Sequence, residues 1–288
     1  MKVGIFRISS KSNSLTEHEI AVIEYLDKHN HEIFIDVDFF KSLALNKNKK
    51  PLDINKVDVL FTIGGDGTLL RAIPIVKDTK VPILGINTGQ LGFLTSVNKE
   101  SLIKGLDMFF MKKYTLIKRT LLELKTSPEI SDIVFFPYAL NEVTINRKNS
   151  TSMLSIKTTI DQKLLTTYWS DGLIISTSTG STGYSLSSGG PIISPEANAF
   201  VLNPIAPHNI GMRPLIVPDK SNIGIHVTGR SKNHLISLDN RRFTIQNSSS
   251  ISISKAPFFI KTIQLEGNDF FMTLRDKLFW GLDKRNRQ

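Results

Sequence analysis

The chain contains no cysteine, and that absence removes two kinds of chemistry at once. No disulfide framework can staple the fold, and no thiolate can act as nucleophile or metal ligand. Such a composition fits a reducing cytoplasm. Histidine is scarce, with six residues in 288 and none in an HxxxH or similar metal-ligand spacing, so no structural zinc is expected. No uninterrupted apolar run is long enough to span a bilayer, and no membrane partner is expected. Met1-Lys2-Val3-Gly4-Ile5-Phe6 enters a strand pattern at once, without the layout of a signal peptide, so the expected compartment is the cytoplasm. Clustered positive charge is also missing. The net charge of +10 favours anionic ligands, but the basic residues are scattered apart from Lys47 to Lys50 and the tail Lys284-Arg285-Asn286-Arg287. Both runs read as solvated surface, and nucleic acid is not an expected partner. What is present is a hydrophobic content of 40% over 288 residues, enough for one large domain or two ordinary ones.

The hydrophobic period changes along the chain. Lys2 to Ile8, Glu32 to Asp36, Val57 to Ile63 and Val81 to Ile86 read as strands. Ser14 to Asn30 and Thr68 to Lys77 read as helices, with Ser14…Glu17 and Thr16…Glu19 both spaced as capping boxes. This alternation predicts a mainly parallel sheet covered by helices, whose ligands sit beyond the carboxyl ends of the strands. After a helical Ser101 to Met111, short strands with period two take over at Thr115 to Lys125, Ala139 to Asn146, Met153 to Ile160, Leu164 to Trp169 and Leu173 to Ser176. More follow at Ile223 to Val227, Leu235 to Leu238, Phe243 to Gln246 and Ile251 to Lys255, and Asp161-Gln162-Lys163 reads as a hairpin connection. Asp269 to Trp280 is helical again, with Phe270, Phe271, Leu274, Leu278 and Phe279 at helix spacing. The expected fold is therefore an α/β domain over residues 1–100, completed by 265–288, and a β-rich domain of layered sheets over 101–264. The final helix is expected to bury its apolar face on the first domain.

Gly64-Gly65-Asp66-Gly67-Thr68 follows one of the buried strands and opens a helix. A glycine-dense turn there can aim several backbone N–H groups at one anion, and Gly64, Gly65, Gly67 and Thr68 form the candidate phosphate loop. Asp66 is out of place in a pure phosphate cradle. It makes sense if a metal ion bridges the charges or if Asp66 takes a proton from an attacking hydroxyl. The plainer alternative is a tight turn with Asp66 as helix N-cap. A second segment, Asp171-Gly172-Leu173 through Thr177-Ser178-Thr179-Gly180-Ser181-Thr182-Gly183-Tyr184-Ser185-Leu186-Ser187 to Gly190, is filled with hydroxyls and glycines. Hydroxyls suit ribose, amide and phosphate groups. Tyr184 and Leu186 interrupt the polar run, which a solvated Ser/Gly linker would not need. Asn141-Glu142 lies in an otherwise apolar strand. Adjacent strand residues face opposite sides, so the two side chains reach one pocket only near a strand end or bulge. There they would suit the vicinal hydroxyls of a ribose; the alternative is a solvated edge strand.

Together these segments resemble the NAD kinase family. GGDGT, the turn Asn87-Thr88-Gly89-Gln90-Leu91-Gly92-Phe93-Leu94-Thr95, the Asn141-Glu142 pair and the stretch Asp171 to Tyr184 match that family's motifs, and Gly189-Gly190-Pro191-Ile192, Pro204 to His208 and Met212 to Leu215 continue the match. GGDG alone is shared with lipid kinases and phosphofructokinases. The resemblance implies phosphorylation of the adenosine-ribose 2′-hydroxyl of NAD to give NADP, with ATP or polyphosphate as donor. Mg²⁺ or another divalent metal would enter with the nucleotide, and no metal ligand from the protein is assigned. By the same resemblance Asp66 is the general base. Gly67, Arg71, Asn141, Glu142, Asp171, Thr182, Gly183, Tyr184, Ser185, Leu186 and Ser187 bind NAD, with Asp171 on the nicotinamide amide. In this family that contact often crosses a subunit boundary, which implies a homo-oligomer, dimer or tetramer.

Three positions depart from the family pattern. Ser178 replaces a usual proline, so a less rigid loop is expected, and Gly183 replaces a usual alanine. Asp239-Asn240-Arg241 replaces an Asp-Gly-Gln-like triplet, which puts any glutamine contact in doubt. Three rival readings are a lipid kinase, a non-catalytic dinucleotide sensor and a nucleic-acid binder. The first commonly carries Asn-Glu after GGDGT, where this chain has Leu69-Leu70-Arg71. The intact Asp66 argues against the second. The third has no recognition motif or basic cluster here. His208, a lone histidine between prolines, reads as structural.

Overall fold

The computed structural model describes residues 1–8, 15–36, 49–89, 92–148 and 152–280. The expectations for Ser14, Lys47, Gln90, Leu91 and the basic tail fall outside them. The chain divides into two compact units, residues 1–118 with 260–288 and residues 119–259.

In the first unit β1 (Lys2–Arg7) leads to α1 (Glu17–Lys28). That helix starts where the sequence signals it. Thr16 Oγ1 accepts from the Glu19 N–H at 3.3 Å, and the Glu19 carboxylate accepts from the Thr16 N–H at 2.7 Å. Then come β2 (Glu32–Ile35), β3 (Lys49–Pro51), β4 (Val59–Ile63), α2 (Asp66–Val76), β5 (Ile83–Asn87), the short β6 (Val97–Asn98) and α3 (Leu102–Phe110). All pairings are parallel, in the order β3-β2-β1-β4-β5. From β1 the chain grows outward to β2 and β3, then returns to β4 on the other side. The carboxyl ends of β1 and β4 thus flank a topological switch point, where open α/β sheets bind ligands. Gly64 begins there. The change of period groups residues 101–118 with the second domain, but α3 lies in the first unit. It packs Leu102, Leu106 and Phe109 into the same apolar cluster as Val59, Phe61 and Leu84.

β7 (Tyr114–Ser127) carries the chain into the second unit, which holds β8 (Tyr138–Ala139), β9 (Glu142–Arg147), β10 (Leu154–Ile160), β11 (Lys163–Ser170), β12 (Gly172–Thr177), β13 (Ala199–Ile205), β14 (Leu215–Pro218), β15 (Ile223–Thr228), β16 (Asn233–Leu238) and β17 (Arg241–Gln246). One antiparallel sheet runs β14-β13-β12-β9-β16-β17. A second layer pairs β11, β10 and β15 antiparallel, and apolar residues of both layers, such as Ile156, Val227, Leu173 and Ile236, meet in one core. The β10–β11 hairpin turns at Asp161 and Gln162, with φ of 48° and 67°.

β18 (Ser250–Leu265) returns the chain to the first unit, where Thr262 pairs in parallel with Ile83 of β5. α4 (Phe270–Leu278) follows, capped by Asp269, whose Oδ1 accepts from the Met272 N–H at 2.6 Å. The helix returns to the first unit as expected, with the Phe270 ring 6.1 Å from that of Phe93. Its apolar face is less buried than the spacing implied. Leu274 is buried, while Phe271 and Phe279 are 61% and 64% exposed.

Candidate active site

The first cluster surrounds Asp66. Gly64 has φ +146°, and a Cβ there would lie 2.2 Å from Thr68 Oγ1, so the turn into α2 closes only around glycine. Gly65 is the N-cap, and Asp66 is the first helical residue rather than the cap. Its side chain reaches instead to the loop after β5. Oδ2 accepts from the Phe93 N–H at 2.8 Å and Oδ1 from the Leu94 N–H at 3.1 Å. Two N–H donors from that loop fix where the carboxylate points, at the N-terminal end of α2. The acid inside the anion loop is thus met by donors from a different loop, the one after β5.

The loop after β5 is fixed from below. Asn87 Nδ2 donates to Thr95 Oγ1 at 3.1 Å, Asn87 Oδ1 accepts from the Gly89 N–H at 2.7 Å, and Thr95 Oγ1 accepts from the Gly92 N–H at 3.2 Å. A Cβ on Gly92 would fall 1.8 Å from Asp66 Oδ1. Nothing lies within 4 Å of a Cβ built on Gly65 or Gly67, so the turn is open on either side of the carboxylate. Arg71 is exposed on the next turn of α2, and Thr68 is buried.

The second cluster surrounds Glu142. β9 begins at this residue, so Asn141 and Glu142 stand at a strand end, the arrangement that lets both face one side. A Cβ on Gly183 would lie 3.1 Å from Glu142 Oε2 and 3.3 Å from Asn141 Nδ2, which places both side chains beside the Thr182–Tyr184 turn. Gly180 packs closer still, since a Cβ there would meet the Asn141 carbonyl oxygen at 2.1 Å. Glu142 Oε2 and Asn141 Oδ1 are buried and have no hydrogen-bond partner among the described residues. Burial, and then the nearby Asp239 carboxylate, push the Glu142 carboxyl up to about 8, against the opposing pull of a hydrogen bond from the Tyr184 N–H.

Most hydroxyls of the Ser/Thr-rich segment hold the turn together. Thr177 Oγ1 donates to the Leu140 carbonyl at 2.6 Å, and Ser181 Oγ donates to the Ser178 carbonyl at 2.8 Å and accepts from the Ile193 N–H at 3.0 Å. Ser185 is buried and accepts from Asn203 Nδ2 at 3.3 Å. Ser178 is tied into the loop by backbone and side chain. It has φ −58°, a value proline would adopt, and its hydroxyl donates to the Ala197 carbonyl at 2.5 Å. Tyr184 is 43% exposed, Ser187 is exposed, and Thr182, Gly183 and Leu186 are half-buried, so these present the outward side of the turn.

Asp171 is not part of this cluster within one chain. Across β9 and β12, Ser176 pairs with Glu142 and Gly172 with Asn146. Asp171 thus sits at the far end of the strand pair, roughly 17 Å away at ~3.3 Å per strand residue. It forms a half-exposed ion pair with Arg147 at 3.1 Å. Sequence reasoning did not find the role of Asp239. Its carboxylate accepts from the N–H groups of Leu140, Asn141 and Glu142 at 2.8, 2.8 and 3.1 Å. Arg241, noted only as a departure, donates to the Phe136 and Tyr138 carbonyls and lies 4.9 Å from the Phe136 ring centroid. The readable signal was the charged triplet at a two-residue turn between strands, where an acid is free to reach the neighbouring strand end.

The chain thus combines an α/β unit that carries GGDG at its switch point with a layered β unit that carries a built polar turn. Comparison with known proteins gives the family. Residues 11–114 match the ATP-NAD kinase N-terminal domain and residues 140–265 match the ATP-NAD kinase C-terminal domain. NAD kinase of Christiangramia forsetii is 46% identical over 99% of this chain and all of the relative. NAD kinase of Flavobacterium psychrophilum is 44% identical over the same shares. The chain belongs to the NAD kinase family. Among solved structures, yeast NADH kinase complexed with NADH has a TM-score of 0.86 at 24% identity, covering 100% of this chain and 90% of that one. An Archaeoglobus fulgidus NAD kinase in complex with ATP has a TM-score of 0.75 at 23% identity, covering 97% and 99%. These two likenesses establish the fold.

Proposed function

We propose that this kinase transfers a phosphoryl group to the 2′-hydroxyl of the adenosine ribose of NAD, giving NADP, and that Asp66 is the general base. The carrying observation is the Asp66 carboxylate, held by the Phe93 and Leu94 N–H groups between two glycines with open space around them. A secondary hydroxyl is a weak nucleophile at neutral pH, and a placed carboxylate that accepts its proton is worth about a hundredfold to ten-thousandfold. Each Asp66 oxygen accepts one protein N–H, which leaves lone pairs for the substrate hydroxyl. Gly64, Gly65, Gly67 and Thr68 are assigned to the phosphates, and exposed Arg71 to the dinucleotide.

Asn141 and Glu142 are assigned to ribose hydroxyls. The unpartnered Asn141 Oδ1 and Glu142 Oε2 support this, because a diol, which both donates and accepts, supplies the hydrogen-bond partners they lack. Thr182, Gly183, Tyr184, Ser185, Leu186 and Ser187 are assigned to the turn that carries adenine and ribose, with Tyr184 offering its ring. Asp171 is assigned to the nicotinamide amide of an NAD bound by another copy of the chain, a reading supported by its distance from Glu142 along the strands. This requires a homo-oligomer, dimer or tetramer.

The donor is ATP or another phosphoryl compound such as polyphosphate. Among the described residues no three His, Cys, Asp or Glu side chains gather to hold a metal. The divalent ion is assigned as part of the substrate, MgATP, held by phosphate oxygens and water. No helix among the described residues is long and apolar enough to cross a membrane. The proposed compartment is the cytoplasm, which the cysteine-free composition suits.

The test is an assay of purified protein with NAD, MgATP and alternative donors. NADP should form, and Asp66→Asn should cut turnover by orders of magnitude while NAD still binds. No NADP with any donor would refute the reaction; full turnover in the variant would refute the base.

A further inference from the structure

We propose that Asp239 is a positioning residue of the acceptor site: it gathers the backbone at Leu140, Asn141 and Glu142 so that the side chains of the last two emerge together beside Gly183. The proposal rests on the reading of Asn141 and Glu142 as ribose ligands.

Successive N–H groups of an extended strand point to opposite sides, so three in a row cannot reach one carboxylate from strand geometry. Here three in a row do, at 2.8, 2.8 and 3.1 Å. The carboxylate thus stabilises a turn of backbone just ahead of β9, and that turn breaks the alternation which would send Asn141 and Glu142 to opposite faces. The grip is mutual, because the Asp239 N–H donates to the Glu142 carbonyl at 3.0 Å. Asp239 is itself fixed in the turn between β16 and β17 with φ +51°, a conformation aspartate tolerates better than most residues. Leu238 and Val143 are strand partners, so the hairpin tip lies level with the start of β9.

The charged groups around Asp239 are few. Burial pushes the Asp239 carboxyl up, while the three backbone N–H groups and then Arg241, facing it from β17, pull it down; its charge in turn raises Glu142, which faces it from β9. Arg241 is in turn anchored on the Phe136 and Tyr138 carbonyls. Tyr184 contributes an N–H to Glu142 and no charge of its own. Asp239 therefore does two things to Glu142. It sets where the carboxyl points, and its charge, added to burial, keeps that carboxyl protonated to higher pH.

The experiment compares wild type, Asp239→Asn and Glu142→Ala as full chains, with folding checked by circular dichroism. In Asp239→Asn one acceptor becomes an NH₂ facing a backbone N–H. The expected result is a KM for NAD raised about tenfold, a loss typical of one mispaired buried hydrogen bond. The KM for ATP holds, and the loss falls on KM for NAD more than on kcat. The limb of the pH profile of kcat/KM for NAD that belongs to Glu142 moves to lower pH, because a neutral residue has replaced the neighbouring charge. A general loosening of the unit would not confine the loss to the KM for NAD. A folded Asp239→Asn protein with unchanged KM for NAD, or with an unmoved limb, overturns the proposal. If Glu142→Ala leaves the KM for NAD unchanged, the ribose assignment fails; if it raises KM and Asp239→Asn does not, only the positioning role fails. Should Asp239→Asn not fold, hydrogen exchange on wild type decides. The amides of Leu140, Asn141 and Glu142 should exchange at least a hundredfold slower than free peptide, and unprotected rates would overturn the proposal.

Discussion

The backbone N–H of Phe93 donates to Asp66 Oδ2 at 2.8 Å across a gap of 27 residues, and this bond joins the loops after β4 and β5. It makes the aim of the proposed base depend on a loop that carries no acid of its own between Gly92 and Thr95.

Gly92→Ala tests that dependence. The new methyl would meet Asp66 Oδ1 at 1.8 Å, so either the carboxylate or the loop must move. A displacement near 1 Å at a reacting group costs about a hundredfold in rate. The expected outcome is a folded protein with turnover reduced on that order, measured as NADP formed per second at saturating substrates. Turnover within a few-fold of wild type would show that the loop does not set the base.

Two glycines in the second unit should behave differently. Gly180→Ala places a methyl 2.1 Å from the Asn141 carbonyl oxygen, a backbone atom that cannot swing aside. Overpacking of this kind costs about 1–3 kcal/mol. Gly183→Ala places one 3.1 Å from Glu142 Oε2 and 3.2 Å from the Gly180 carbonyl oxygen, contacts that need a shift of only a few tenths of an ångström. Urea unfolding should register the first change clearly and the second weakly, and equal losses would contradict the geometry.

The raised Glu142 carboxyl predicts how stability changes with pH. Its value is about 8 in the folded chain against the ordinary 4.5. Between those values the folded state holds a proton that the unfolded state has released. The stabilising contribution is therefore full below the ordinary value, declines as pH rises through the window and is gone above the folded value. Glu142→Gln removes this dependence. Its melting temperature relative to wild type should climb from pH 5 to pH 8, by an amount on the order of a few kcal/mol in stability. A constant difference over that range would count against the assignment.

In the first unit, Arg7 Nη1 lies 3.3 Å from both oxygens of Glu19, and the pair is buried. Breaking a buried pair from one side costs about 3–5 kcal/mol, and Glu19→Ala also removes the acceptor of the Thr16 N–H in the capping box. Glu19→Ala should lower the denaturant midpoint accordingly, whereas an effect below about 1 kcal/mol would place the pair with exposed ones.

The sequence was most legible where one residue type has one physical use. Glycine density before a helix marked the turn at Gly64, and period-two runs marked the layered sheets. The Asn141-Glu142 pair was recognised as needing a strand end, and β9 begins there. Long-range reach was not legible. Nothing near Asp66 announces that its oxygens meet Phe93 and Leu94, and nothing near Asp239 announces three N–H groups about a hundred residues earlier. The structural work of the hydroxyls was not legible either, because Ser176, Thr177, Ser178, Ser181 and Ser185 are buried and bond largely to neighbouring segments such as Leu140, Asn141, Ala197 and Ile193. Helix spacing likewise identified α4 without telling which of its apolar residues would be covered, and Phe271 is not.

The return of the chain through β18 has a consequence for the order of synthesis. The first unit is interrupted in sequence by the whole of residues 119–259, and Thr262 takes its place beside Ile83 only at the end. A growing chain therefore has the contiguous second unit complete before the first has its last strand. Until then the edge of β5 at Ile83 is open, and the first-made segment of the protein is the last to be finished.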